Sequence, residues 1–412
     1  MQRLRIGIVT TWFERGAAYV SRQYRDVLRE SHEVFIYARG GEQRATGDPR
    51  WDTAEVTWGR PALAPFQNAV DLDDFARWME QQRLDVVFFN EQAWWAPVVL
   101  CAKRKVCTGA YVDYYTPDTA PLFDAYDFLV CNTRRHHSVF RHHPQSLYIP
   151  WGTDLDVFRP RGFGLVQPGT LTFFHSAGMN PPRKGTDLVV RAFARLKGPV
   201  RLVIHTQHPL ESCLPELIPV LEQRTRDGTL EIHRQTISAP GLYHLGDVYV
   251  YPSRLDGIGL TVAEAFACGL PVITVDHPPM NEFVNRADGL LAPVAELRTR
   301  SDGYYWPMAI ADEGALAALM QRCVDRLAEV PALKEAARRH AETHLDWRKN
   351  ARDLGQQFAG MRRLETPAKA AAVQAAEKFE ARRAAQSPRA WVAYRWPGLY
   401  RAARGLKRRL LP

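Results

Sequence analysis

The feature that most limits what this chain can fold into is a repeated alternation. Short runs rich in β-branched and aromatic residues are each followed by a polar stretch of helical period, the mark of βαβ units on a parallel sheet. The runs form two series. The first predicts strands at 5–10, 33–38, 85–89, 108–112, 127–131 and 147–149; the second predicts them at 171–176, 201–206, 230–233, 248–251, 271–275 and 289–292. Between the series, residues 151–170 hold Pro160, Gly162, Gly164, Pro168 and Gly169, too many turn formers for a strand or helix. A chain of 412 residues is also too long for one ordinary domain. The expectation is an α/β fold of two Rossmann-like, doubly wound domains facing across a cleft: 1–155, a linker at 156–170, and 171–345. A helix over 346–365 is expected to cross back toward the first domain, and 366–412 to form a helical, then basic and aromatic, extension.

Charge and cysteine content narrow the class. The net charge is +9, but 388–412 alone carries seven cations and no acid, so the body of the chain is nearly neutral. A broad basic face for nucleic acid is therefore not expected. The six cysteines form no CxxC pair and no zinc-type Cys/His spacing, which suggests reduced, buried thiols. No apolar run approaches the roughly 18 residues of a membrane span, and the expected location is cytoplasmic. His136, His137, His142 and His143, among Arg134, Arg135 and Arg141, lack the i, i+4 pairing of a helical metal site. They read as a basic surface helix, and no metal is expected.

Two loops concentrate chemistry. In the first, a strand leads to Pro252-Ser253, then to Asp256 and Gly257-Ile258-Gly259, and a helix begins near Leu260. Glycines allow close backbone approach, and the unsatisfied amides of a first helical turn suit a phosphate. Asp256 and Glu264 bracket that helix start and could accept hydrogen bonds from sugar and ribose hydroxyls. Either acid alone would read as an ordinary turn or surface residue. The second loop, Arg183-Lys184-Gly185, lies between the first strand of the second domain and the next helix, where two cations can neutralise a diphosphate.

The run Asp-Gly-Ile-Gly-Leu-Thr-Val-Ala-Glu-Ala-Phe-Ala-Cys-Gly-Leu-Pro-Val-Ile from Asp256 to Ile273 resembles the signature of the retaining glycosyltransferases of family 4, which have the GT-B fold. Residues 149–158 and 183–187 are similar to that family's interdomain segment and phosphate-binding loop, and Trp347 stands at its aromatic position. The resemblance implies transfer of a sugar from a nucleoside-diphosphate sugar to a hydroxyl of a saccharide or lipid-linked acceptor, with retained anomeric configuration and no cofactor or metal. It implies Asp256 on the sugar and Glu264 on the ribose. Arg183 and Lys184 would hold the diphosphate, with the amides of Gly257, Ile258, Gly259 and Leu260 assisting. Gln235, in a loop after a strand, is the candidate base contact. On the acceptor side the candidates are Gly16 in the loop after the first strand, Glu91 and Tyr114, with Asp113 a candidate catalytic acid or base. Such relatives often assemble cell-surface polysaccharide or glycolipid.

Three departures from the family pattern stand out. Asp256 replaces the usual Glu, shortening the reach by ~1.5 Å; residues 176–180 lack an arginine; and Asn90-Glu91 and Asp113-Tyr114 stand where histidines are common. They leave room for two other readings, a silent sugar-nucleotide binder and a membrane-surface scaffold. The tail 388–412 interleaves Trp391, Tyr394, Trp396 and Tyr400 with its cations, a composition suited to an anionic bilayer surface at the inner membrane face.

Overall fold

The structure is a computed structural model that describes residues 3–284, 290–386 and Val392. It contains two compact units. The first comprises 3–132, 136–149 and 351–386 of the described residues; the second comprises 133–135 and the described part of 150–350. Apart from Val392, the tail assigned above to a membrane surface lies outside the described residues, as does Gly289.

The first unit is built on strands β1 (Arg5–Thr10), β2 (Glu33–Gly40), β3 (Val56–Pro61), β4 (Val86–Phe89), β5 (Cys107–Tyr111), β6 (Phe128–Cys131) and β7 (Ser146–Tyr148). They form one sheet in the order β3-β2-β1-β4-β5-β6-β7, all parallel. The central strands are buried throughout because helices cover both faces of such a sheet. Strand order reverses between β1 and β4, so the crevice at the carboxyl ends of the strands opens there.

The second unit repeats the plan with β8 (Leu171–Gly178), β9 (Val200–Thr206), β10 (Leu230–Arg234), β11 (Val248–Tyr251), β12 (Val272–Val275) and β13 (Leu291–Ala292). Their order is β10-β9-β8-β11-β12-β13, again parallel, with the reversal between β8 and β11. An antiparallel hairpin follows, β14 (Val294–Arg298) with β15 (Met308–Ala311). Neither this hairpin nor β3 is anticipated by the apolar runs, since β3 and β14 mix polar with apolar residues and are mostly half-buried or exposed, and β15 is only four residues long.

Residues 150–170 belong to the second unit. Thr153 N donates to Leu345 O at 2.7 Å and Trp347 N to Thr153 O at 3.1 Å, while the rings of Trp151 and Trp347 lie 4.8 Å apart. The single helix expected from Trp347 onward is two, Trp347–Asn350 and Leu354–Gly360. The turn between them brings Gly355 so close to Ser31 that an added Cβ would sit 2.3 Å from Ser31 Oγ, and Gly355 O lies 2.9 Å from His32 Nε2. The histidine-rich helix, Arg134–Phe140, is also not the surface element expected. His136 is fully buried, 3.0 Å from the Tyr115 hydroxyl, and His143 is buried against Tyr126 O. Of the cysteines, Cys213 is half-buried and the other five are buried and unbridged. Among the described residues no helix is long and apolar enough to cross a membrane.

The first unit closes on a late segment. Helix Pro367–Ala385 places Lys369 on the fully buried Asp127 carboxylate, which also accepts from Thr108 N at 2.8 Å and Leu364 N at 2.6 Å. Farther along, Glu380 accepts from Trp95 N at 2.9 Å. Lys369→Ala would strand a buried carboxylate and is expected to cost about 3–5 kcal/mol, read as a fall in the urea midpoint of the first unit's unfolding.

Candidate functional site

In the second unit, the loops that follow β8 and β11 meet at the strand-order reversal. Gly185 makes the approach possible: its φ is +72°, and an added Cβ would lie 2.3 Å from Pro252 O. It precedes helix Thr186–Ala194, as Gly259, at φ +66°, precedes helix Leu260–Ala267. Beneath the loops, buried His175 spans 2.7 Å to Val250 O and 2.8 Å to Thr186 Oγ1. Burial pushes its imidazole down to about 4, so it acts as a neutral strut. Arg254 clamps Asp187 with two contacts of 2.7 Å and receives Ala309 N from β15 on its carbonyl at 2.9 Å.

This frame presents one cluster. Lys184 Nζ donates to Asp256 Oδ1 at 2.7 Å and Oδ2 at 2.9 Å and also to the Tyr251 hydroxyl. Tyr251 in turn donates to Asp256 Oδ2 at 2.6 Å, and Arg183 donates to Asp256 Oδ1 at 3.1 Å and Leu255 O at 2.6 Å. Burial works to raise the Asp256 carboxyl, yet the two cations hold it well below the usual carboxylate range. Burial lowers the Lys184 ammonium to about 8, against the pull of Asp256. Glu264, further along its helix, accepts from the Tyr243 hydroxyl at 2.5 Å, and burial lifts its carboxyl to about 7. Neither acid is the solvated residue that its sequence position alone would suggest.

Of the residues singled out from the sequence, Arg183, Lys184 and Asp256 touch one another, and Gly257, Ile258, Gly259 and Leu260 follow in the same loop. Gln235 is exposed just after β10, its carbonyl 2.8 Å from His205 Nε2. In the first unit, Gly16 opens helix Gly16–Leu28 beyond β1, and Glu91 follows β4 with φ +52°. Asp113 and Tyr114 lie beyond β5, half-buried and 39 % exposed respectively. Sequence reasoning overlooked Tyr251, Tyr243, Asp187 with Arg254, and Arg39. The buried Arg39 guanidinium, at the end of β2, reaches Asn90 O at 2.7 Å and Thr11 Oγ1 at 2.8 Å. Tyrosines at alternate positions 249 and 251 of a strand that ends in this loop were the available signal.

Residues 170–300 match the family model described as glycosyl transferases group 1. The fold is of GT-B type, and its second unit carries a domain similar to the group 1 glycosyl transferases. The chain is 23% identical over 383 residues to a GDP-mannose-dependent monoacylated alpha-(1-6)-phosphatidylinositol monomannoside mannosyltransferase of Corynebacterium glutamicum, covering 82% of this chain and 94% of that protein. Its fold is similar to that of a sucrose-phosphate synthase from Thermosynechococcus elongatus, with a TM-score of 0.66, 17% identity, and coverage of 87% of this chain and 98% of that one. The Anabaena protein Alr3699/HepE in complex with UDP-glucose also scores 0.66, at 14% identity, covering 87% of this chain and all of the other (100%).

Because Gly185 combines a left-handed backbone with a close carbonyl, Gly185→Ala is expected to lose about 1–3 kcal/mol, measured as a lowered thermal midpoint.

Proposed function

We propose that the protein transfers a hexose from a nucleoside-diphosphate sugar to an acceptor hydroxyl with retention of anomeric configuration, without a resident metal or cofactor. The observation that carries this reading is the pair of cations, Arg183 and Lys184, at the strand-order reversal of the unit whose sequence matches the glycosyltransferase family model. Two preorganised cations can bind the diphosphate and stabilise the charge that gathers on it as the glycosidic bond breaks, the role a divalent ion fills elsewhere. Amides at the start of helix Leu260–Ala267 assist. Glu264, already a hydrogen-bond acceptor for Tyr243, is assigned the ribose, Asp256 the sugar hydroxyls and Gln235 the base.

For the acceptor we assign Gly16, Glu91 and Tyr114 of the first unit, with Asp113 as a carboxylate able to draw a proton from the attacking hydroxyl. A saccharide or lipid-linked acceptor fits this reading, supported by the C. glutamicum relative, whose name specifies a phosphatidylinositol mannoside. A role in cell-surface polysaccharide or glycolipid assembly then follows, at the inner membrane face and reached through residues 388–412.

The test is a thermal-shift panel of UDP-, GDP-, ADP- and CDP-sugars on the wild type and Lys184→Ala. One donor is expected to stabilise the wild type, with the shift abolished in the variant; a flat panel would remove the donor reading. The Lys184 ammonium gives a second check. Its charge is present below about 8 and is lost as pH rises through that value, so the affinity for the matching nucleoside diphosphate is expected to fall between pH 7 and 9.5 in calorimetric titrations.

A further inference from the structure

The contacts around Lys184 leave little for a ligand to use. An ammonium has three protons, and three acceptors surround this one: both Asp256 oxygens, at 2.7 and 2.9 Å, and the Tyr251 hydroxyl. Arg183 also commits a nitrogen to Asp256, at 3.1 Å, and the same nitrogen donates to Leu255 O at 2.6 Å. A diphosphate can reach those donors only if something lets go. The surrounding charges say what that is. Around Lys184 stand Arg183, Asp256 and, farther off, Glu264, while His175 is neutral and burial keeps the Tyr251 hydroxyl protonated. The acid in direct contact is Asp256, which would repel the incoming anion at short range in a site of low dielectric.

We propose that Asp256 is the resident counter-anion of the diphosphate site: its carboxylate holds the positions on Lys184 and Arg183 that phosphate oxygens take, so that donor binding is an exchange of anions. This rests on the donor reading of the preceding section and adds an order of events to it. The arriving diphosphate takes over the two cations. The displaced carboxylate, followed directly by Gly257, turns to accept hydroxyls of the transferred sugar. A nucleoside diphosphate without a sugar must meet the cost of displacement with nothing to receive the freed carboxylate. A complete donor recovers that cost through the sugar, which makes Asp256 a positioning residue that favours the intact donor over the spent one.

The test compares wild type with Asp256→Asn by titration calorimetry at pH 6.5, using UDP, GDP, their hexose conjugates and inorganic pyrophosphate. The asparagine keeps the shape and removes the competing charge. Expected is an affinity for the sugar-free diphosphate about tenfold higher than in the wild type, with the wild type's preference for the sugar conjugate lost. Equal or weaker diphosphate binding in the variant overturns the exchange. Binding of pyrophosphate but of no nucleotide would sink the donor reading alone, since the same comparison with pyrophosphate still decides the exchange; binding of neither removes both. Should Asp256→Asn not fold, Tyr251→Phe takes its place. It removes the hydroxyl that tethers Asp256 Oδ2 at 2.6 Å and is expected to tighten diphosphate binding severalfold, whereas weaker or unchanged binding refutes the exchange.

Discussion

The second unit is organised around the contact of Lys184 with Asp256. A largely buried ammonium and a buried carboxylate each carry a desolvation cost, offset only while they face each other and their remaining hydrogen bonds are met. Tyr251 and Arg183 meet those bonds, and the loop backbones hold the partners in register through Gly185 against Pro252 and Arg254 against Asp187. Removing Asp256 would leave the Lys184 ammonium without its carboxylate, whereas removing Lys184 would leave Asp256 paired with Arg183 alone. The same low-dielectric surroundings that make the pair costly give its charges their effect on an incoming anion.

Parallel sheets place this chemistry at the carboxyl end of the strands. In each unit the order reverses beside the first strand, β1 or β8, and the loops that leave the two central strands lie side by side there. The second unit fills its reversal with charge. The first fills its own with a guanidinium paired to a carboxylate and with amides: Arg39 on Glu42 at 2.9 Å, on Thr11 and on Asn90 O, and Asn90 on Ala17 O at 2.9 Å and Ser21 Oγ at 2.7 Å. One topology thus carries two kinds of surface, differing only in which side chains follow the strands.

Most of the strand ladder was legible in the sequence, because strands buried on both faces write themselves as apolar runs; β1 and β11 carry the very limits read from composition. What escaped was short or exposed. β3 ends on Gly59, Arg60 and Pro61 and β14 leaves Leu297 56% exposed, so neither writes an apolar run, while β15, Met308–Ala311, is apolar but only four residues long. At the site, the two loops could be found from their glycines and their place after strands. The bond between residues 184 and 256 could not, since 72 residues separate them and only the sheet order makes them neighbours. Tyr251 was hidden for a related reason: in a strand it reads as core, and only its hydroxyl, aimed at Asp256, gives it a second role.

The helix Pro367–Ala385 has a bearing on how the chain comes to be folded. Asp127 sits in the first unit, yet the ammonium that balances it is supplied from position 369, after the whole of the second unit. During synthesis the early sheet can assemble as soon as it emerges, but its buried acid waits uncompensated while some two hundred residues of another unit are made. The earlier of the two units to be translated is thus the later to be finished.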